Sequence, residues 1–144
     1  SVYAVFEAKQ TADAAMVAYA QEKVASVRRL HRTSLPIPYA KGVYPAKPLI
    51  PILGGLLTFE SEWSPALGTS FEKALSAGGV DGRLDLGCVA SHGHFFLDHA
   101  NSTYSLVSED RAATAFLFKL ISLLQFSGTV PMIDVEAYAK WLVK

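Results

Sequence analysis

The sequence predicts an α/β fold in which helices flank a mixed β-sheet, with the element order β-α-β-α-β-β-α-α and one domain over residues 1–144. Short apolar runs suited to strands alternate with stretches whose apolar residues recur every three or four positions. Proline and glycine clusters separate these stretches. Apolar types make up 51% of the 144 residues and charged types 18%. That balance allows a real core and excludes a disordered chain.

The first three elements form a β-α-β unit. Residues 2–9 are rich in β-forming types and almost continuously apolar, which is typical of a strand covered on both faces. Thr11 is expected to cap a helix that runs to about Arg32. Prolines crowd residues 33–48 and predict a loop, after which residues 52–60 form a second strand. The unit therefore predicts a parallel crossover.

A short helix and a hairpin follow. The Ser64-Pro65 pair predicts the start of the helix, and Gly78-Gly79 predicts its end. Residues 84–90 and 95–98 are predicted strands, and the polar residues between them predict a hairpin turn.

Two helices complete the predicted order. Ser108 is expected to cap a long helix with Glu109 and Asp110 in its first turn. The helix is apolar nearly all round from Ala112 to Phe126 and is therefore expected to lie deep. Asp134 is expected to cap a last helix.

Charge and cysteine content limit the function classes. Lys and Arg number 13, as do Asp and Glu, which excludes a strongly basic nucleic-acid binder and leaves phosphate contacts to a local patch. Cys88 is the one cysteine, so it has no partner for an intrachain disulfide and indicates a reducing, cytoplasmic location. No uninterrupted apolar run reaches the roughly 18 residues of a membrane span, so no membrane contact is expected.

The chain opens at Ser1 and enters an apolar strand at once. We expect an N-terminally truncated fragment whose low charge reflects an interface with an upstream segment or with another copy of the chain.

Glu7 and Lys9 are the strongest candidates for chemistry. Residues two apart on a strand share a face, so their side chains leave the backbone about 6.6 Å apart on the same side. A charged pair at the end of a buried strand is costly unless something matches it. A divalent metal on the carboxylate would match it, and the lysine could orient water for attack on a phosphodiester. The alternative is an ordinary exposed pair at a strand end.

The segment VYAVFEAKQ resembles the E-x-K half of the PD-(D/E)xK, restriction-endonuclease-like, nuclease superfamily. With LGGLLTFESEW and LDLGCVASHGHFF it also resembles an uncharacterised bacterial nuclease-like family of unknown function. The resemblance implies that Glu7 and the Ala8 carbonyl bind Mg²⁺, that Lys9 positions the water, and that Gln10 touches substrate or braces the site. It also requires an Asp on the preceding strand, which this sequence starts too late to contain, so the fragment is expected to be inactive.

A basic patch follows the motif on the predicted helix. The patch comprises Lys23, Arg28, Arg29, His31 and Arg32. We assign Lys23, Arg28, Arg29 and Arg32 to nucleic-acid binding, with DNA and RNA both open. The alternative is a solvated helix end whose cations complement the helix dipole.

Three weaker candidates remain. Asp85 lies between two leucines and so faces either solvent, which is favoured, or a polar pocket; it is also the first candidate to replace the missing Asp. Glu60 and Glu62 end a parallel strand, where they could border a site. A histidine-rich segment invites a metal interpretation, although nothing in the spacing makes its members converge. Its members are His92, His94, Asp98 and His99.

These observations support a metal-dependent nuclease in the intact parent. The alternatives are a non-catalytic module that binds nucleic acid or protein, and a plain assembly domain. An acidic residue on an upstream apolar strand would favour catalysis.

Overall fold

The computed structural model describes residues 2–32, 36–127 and 139–140. It contains seven strands and three α-helices within those residues. In chain order they are β1 (Ala4–Ala12), α1 (Ala14–Arg28), β2 (Ile37–Tyr39), β3 (Gly42–Tyr44), β4 (Leu53–Ser61), α2 (Thr69–Ser76), β5 (Leu86–Val89), β6 (Gly93–Asp98), β7 (Thr103–Ser108) and α3 (Ala112–Gln125).

A five-stranded mixed sheet carries the fold, in the order β1-β4-β5-β6-β7. The strands β1, β4 and β5 run parallel, and β6 and β7 are antiparallel to their neighbours. The predicted fold class, parallel crossover and hairpin are confirmed. The short β2–β3 hairpin inside the crossover and the strand β7 were not predicted.

The core lies between the sheet and the helices α1 and α2. Val17 and Ala20 of α1 and Phe71 of α2 are fully buried there, against Leu56 and Phe95 of the sheet. The helix α3 covers the opposite face, where Phe116 meets Phe6 of β1 edge-to-face with ring centroids 5.6 Å apart. The sheet is thus covered on both sides, as the continuously apolar β1 predicted.

The helix α1 begins later and ends earlier than predicted. Thr11 still belongs to β1, because its pairing with β4 continues through Ala12. Asp13 caps the helix instead, and its carboxylate accepts a hydrogen bond of 2.7 Å from the Met16 amide. The helix ends at Arg28 rather than Arg32.

The predicted start of α2 at Ser64-Pro65 is wrong. The Ser61 hydroxyl accepts from the Trp63 amide and donates to the Ala66 carbonyl, so a turn follows β4. The helix begins only at Thr69.

The prediction for α3 is wrong in two respects. Ser108 is the last residue of β7 and pairs with Gly93, so it does not cap the helix. The helix is also not deep, since Leu117 is 52% exposed and Ala112 is the buried residue among its 14. Only one side of α3 contacts the sheet, so an apolar surface remains on the other. Asp134, the expected cap of the last helix, lies outside the described residues. No described helix has the length and apolar character needed to cross a membrane.

Candidate active site

Glu7 and Lys9 form a close pair on one face of β1. Lys9 Nζ lies 3.0 Å from Glu7 Oε1, and the side chains are 32% and 23% exposed for Lys9 and Glu7. The prediction that both side chains share a face is therefore confirmed. Since neither group is buried, the pair stays within reach of water and of a ligand.

The backbone beside this pair is also available. β1 lies at the edge of the sheet, and its other edge has no strand partner among the described residues. The Tyr3 carbonyl accepts from the Leu53 amide of β4 at 2.9 Å. The pairing of β1 with β4 is continuous from Ala4 to Lys9, and successive carbonyls alternate in direction over such a stretch. The Glu7 carbonyl is therefore on the β4 side and the Ala8 carbonyl on the open edge. The Ala8 carbonyl can therefore accept a ligand without breaking the sheet.

Gln10 is exposed and lies where the register of β1 with β4 skips a residue, between Lys9 and Thr11. Its role in bracing the pair stays a prediction. A contact of Gln10 with substrate stays a prediction.

Tyr19 of α1 extends the pair across the surface. Lys9 Nζ lies 4.5 Å from the centroid of the Tyr19 ring, and Lys23 Nζ lies 4.9 Å from it. Both distances are within the range of a cation–π interaction. Lys23 is thus the member of the basic patch that adjoins Glu7 and Lys9.

Arg28 has a different role from the one its charge suggested. Its guanidinium donates to the carbonyls of Ile52, Asp81 and Arg83 at 2.7–3.0 Å and to the Asp85 carboxylate at 2.6 Å. The side chain is 18% exposed. Arg28 therefore joins α1 to β4 and to the start of β5, and it is neither a solvated helix end nor free for a phosphate.

The other cations of the patch also differ in whether their charge is bonded within the fold or exposed to solvent. Arg32 is partly buried, and its Nη1 donates to the Ile50 carbonyl at 2.8 Å. Lys23 and Arg29 are exposed. These two remain the better placed for nucleic acid.

Asp85 is a buried structural carboxylate. It is 5% exposed and accepts hydrogen bonds from Arg28, from the Gly54 amide at 2.6 Å and from His99 Nε2 at 2.9 Å. The expectation that it faces solvent is wrong. Because its oxygens are already occupied, the structure gives no support to Asp85 as the stand-in for the missing acid.

Glu60 ends β4 beside the turn that joins β5 and β6. Its carboxylate accepts from the Ser61 amide at 3.0 Å and pairs with His92 Nε2. The Ser61 hydrogen bond, and then the one from His92, lower the pKa of Glu60 below its usual value. Glu62 is exposed.

The histidine-rich segment does not converge. His92 pairs with Glu60, His94 is buried, Asp98 accepts from the turn at 100–101, and His99 pairs with Asp85. Across the described residues, no group of three or more His, Cys, Asp or Glu side chains could hold a metal ion.

Tyr19 is not among the site residues that the sequence patterns predicted. Its four-residue spacing from Lys23 on a helix was a usable signal, since residues so spaced are neighbours on a helix surface. Its contact with Lys9 depends on how α1 packs against β1, which no local pattern encodes.

An edge strand that presents a paired acid and lysine beside a parallel crossover is the arrangement expected of a nuclease-like α/β domain. The comparisons with known proteins agree. The chain is 78% identical over 144 residues to the endodeoxyribonuclease NucC of Pseudomonas aeruginosa and 72% identical over 142 residues to that of Escherichia coli strain MS 115-1. The two matches include 100% and 99% of this chain, but only 60% and 59% of the length of the relatives. No family model matches the chain.

Solved structures of these relatives share the fold. The cAAA-bound form of P. aeruginosa ATCC27853 NucC matches all of this chain and 60% of its own, with a TM-score of 0.86. The apo form of E. coli MS115-1 NucC matches 99% of this chain and 63% of its own, with a TM-score of 0.84. The chain thus resembles nucleases and spans about three fifths of their length. The expected likeness to a family of unknown function is wrong in this respect, because these relatives have a named activity.

Proposed function

We propose that this chain supplies the strand that carries the acid and the lysine of the active site of a metal-dependent endodeoxyribonuclease, which hydrolyses phosphodiester bonds of DNA. The observation that carries the proposal is the half-exposed pair of Glu7 and Lys9, with 3.0 Å between Nζ and Oε1, at the edge of the sheet. The names of the relatives favour DNA over RNA as the substrate.

The residues at this edge suit a hard divalent cation. The Glu7 carboxylate and the Ala8 carbonyl offer the oxygen ligands that Mg²⁺ prefers, and Mg²⁺ usually keeps several waters besides one or two carboxylates. When bound, such a cation lowers the pKa of a coordinated water and stabilises charge on the phosphate. Further ligands must come from outside the described residues.

Lys9 completes the proposed chemistry. Its ammonium donates hydrogen bonds and carries a positive charge beside Glu7, so it can hold the attacking water and stabilise the negative charge that develops on the phosphate oxygens. Glu7 in turn keeps the ammonium at the edge of the strand. Phosphodiester hydrolysis at this site would require from β1 at least the Glu7 carboxylate and the Lys9 ammonium, within hydrogen-bond distance of each other.

The open edge of β1 suits the remaining acid. The resemblance calls for an Asp on a strand that precedes the Glu strand, and β1 has one edge without a partner among the described residues. We propose that a strand from the rest of the full-length protein pairs there and brings this Asp to Glu7. Residues 1–144 alone are then expected to be inactive.

The DNA backbone is proposed to reach the site over α1. Lys23 and Arg29 present exposed charges, whereas Arg28 and Arg32 donate to backbone carbonyls. Contacts of this kind position the duplex without reading its sequence.

The full-length protein is proposed to share other properties of its relatives. Two of the solved relatives are cAAA-bound forms, so we propose that it also binds cAAA. A homo-oligomer and a cytoplasmic location remain proposals that rest on the apolar surface and on Cys88.

The test is cleavage of duplex DNA by the full-length protein with Mg²⁺, with and without a chelator and with cAAA present. Glu7→Gln and Lys9→Met each preserve side-chain size while removing the charge, and each is expected to lower the cleavage rate by about a hundredfold or more. Lys73→Met, which removes the charge of an exposed lysine on α2 with no proposed contact to DNA, is the control.

Full cleavage by both variants, with unfolding midpoints equal to that of the wild type, would remove the assignment. DNA binding without any cleavage by the wild type would instead support a non-catalytic binding module.

A further inference from the structure

We propose that Tyr19 is a positioning residue for Lys9: its aromatic ring holds the Lys9 ammonium at the cleavage site and holds Lys23 beside it as a second phosphate contact. This inference rests on the proposed nuclease function. It concerns a residue that neither the E-x-K motif nor the basic patch includes.

The location of the ring follows from the packing of α1. Asp13 caps the first turn, and Val17 and Ala20 are fully buried against the sheet. Those two residues fix the rotation of the helix about its axis, since they lie three positions apart on one face. Tyr19 then falls at the boundary of this buried face, 38% exposed, over the side of β1 that carries Lys9.

Lys9 needs such a support. A lysine side chain has a flexible stem of four methylene carbons. At a partly exposed position an ion pair alone holds its ammonium weakly. The Tyr19 ring attracts the ammonium through the negative charge of its face, at 4.5 Å from the centroid. Glu7 and Tyr19 together therefore define one position for Lys9 Nζ.

The second cation points to an anionic ligand. Lys23 Nζ lies 4.9 Å from the same ring centroid, so one aromatic ring attracts two ammonium groups. A phosphodiester backbone suits two cations held in this way, because each ammonium can contact a phosphate oxygen. Lys23 is one helical turn beyond Tyr19, so the ring joins the cleavage site to the helix surface over which DNA is proposed to bind.

The ring, and not the hydroxyl, carries the proposed role. No hydrogen bond to the phenol oxygen of Tyr19 is present among the residues that the structure describes. Tyr19→Phe therefore retains the proposed interaction, while Tyr19→Leu keeps an apolar side chain and loses it.

The first measurement is the NMR shift of the Lys9 ε-methylene protons in the full-length protein, assigned with the Lys9→Arg variant. A ring face over the ammonium shifts these protons upfield. We expect the upfield shift in the wild type and in Tyr19→Phe, and its loss in Tyr19→Leu. The same shift in all three proteins overturns the proposal, whether or not the protein cleaves DNA.

The second measurement is steady-state cleavage of duplex DNA by the same variants. Tyr19→Phe is expected to keep kcat within about twofold, and Tyr19→Leu to lower it by about tenfold, as loss of a cation–π contact at a partly desolvated site predicts. Fluorinated phenylalanines at position 19 keep the shape and weaken the charge of the ring face, so kcat is expected to fall with each added fluorine.

Equal kcat across the fluorinated series overturns the positioning role, because a purely structural ring would be insensitive to fluorine. Failure of the proposed function itself has a different signature. In that case the wild type does not cleave, or Glu7→Gln cleaves as fast as the wild type, and the NMR shift alone decides on Tyr19.

Discussion

Arg28 and Lys23 lie on the same helix, five residues apart, yet the fold uses their charges in opposite ways. Arg28 is 18% exposed and donates four hydrogen bonds, one of them to the buried Asp85. Lys23 is exposed and contacts only the face of Tyr19 among the charged or aromatic groups described. Charge and sequence position are similar, and the environment decides the role.

The difference is physical. A guanidinium carries five donors in a rigid fork and can satisfy several carbonyls at once, whereas an ammonium on a flexible stem suits a mobile anionic ligand. Buried charges must be paired because an unpaired one costs several kcal/mol, so Arg28 and Asp85 are tied to folding. The half-exposed Glu7–Lys9 pair is under no such constraint and remains available for chemistry.

Removing the Arg28 charge tests this comparison with the largest expected effect. Arg28→Met leaves Asp85 buried with one cation fewer, so we expect it to lower the free energy of unfolding by about 3–5 kcal/mol in urea titrations. Arg29→Met at the exposed neighbouring position is the control, with an expected change within about 0.5 kcal/mol. Equal stabilities for the two variants would show that the buried pair is not structural.

Removing the Lys23 charge is expected to act on DNA and not on folding. Lys23→Gln should weaken DNA binding and reduce the slope of log affinity against log salt by about 0.9, as loss of one phosphate contact predicts. Affinities measured from 50 to 200 mM salt decide the point. An unchanged slope would assign Lys23 to the solvated helix surface.

The smallest expected effect is the pH dependence of folding stability that comes from His94. This histidine is a third environment to compare, because it is buried and one of its ring nitrogens lacks a partner. Its Nδ1 is buried without a hydrogen bond among the described residues. Burial lowers its pKa below the usual 6.5, with Glu109 opposing and Lys119 adding to the shift. The unfolded chain therefore binds a proton first as the pH falls below 6.5.

The stability that neutral His94 contributes is thus complete above pH 6.5 and is lost as the pH falls toward the folded-state pKa. Urea titrations at several pH values should show this decline, and His94→Gln should show less of it. The same pH dependence in both proteins would assign the decline to other groups, such as Glu60, whose pKa is also lowered.

Local patterns predicted three features: the parallel β1–β4 crossover from the β-α-β order, the β5–β6 hairpin from its turn residues, and the shared face of Glu7 and Lys9 from the two-residue period of a strand. They failed at Ser108 and Thr11, where pairing with a distant strand extends β7 and β1 through residues that are good helix caps. Local patterns also could not predict the hydrogen-bond partners of Arg28, because Asp85 is 57 residues away in sequence. Contacts of that range arise from packing and not from local propensity.

The most direct test of the comparison is the rate of DNA cleavage per folded molecule in the full-length protein, with Lys9→Met set against Arg28→Met. The folded fraction is fixed by unfolding measurements in the same buffer. We predict that Lys9→Met stays folded and loses cleavage, and that folded Arg28→Met cleaves within about threefold of the wild type, since its loss falls on stability. Normal cleavage by Lys9→Met, with loss of cleavage by folded Arg28→Met, would contradict the account.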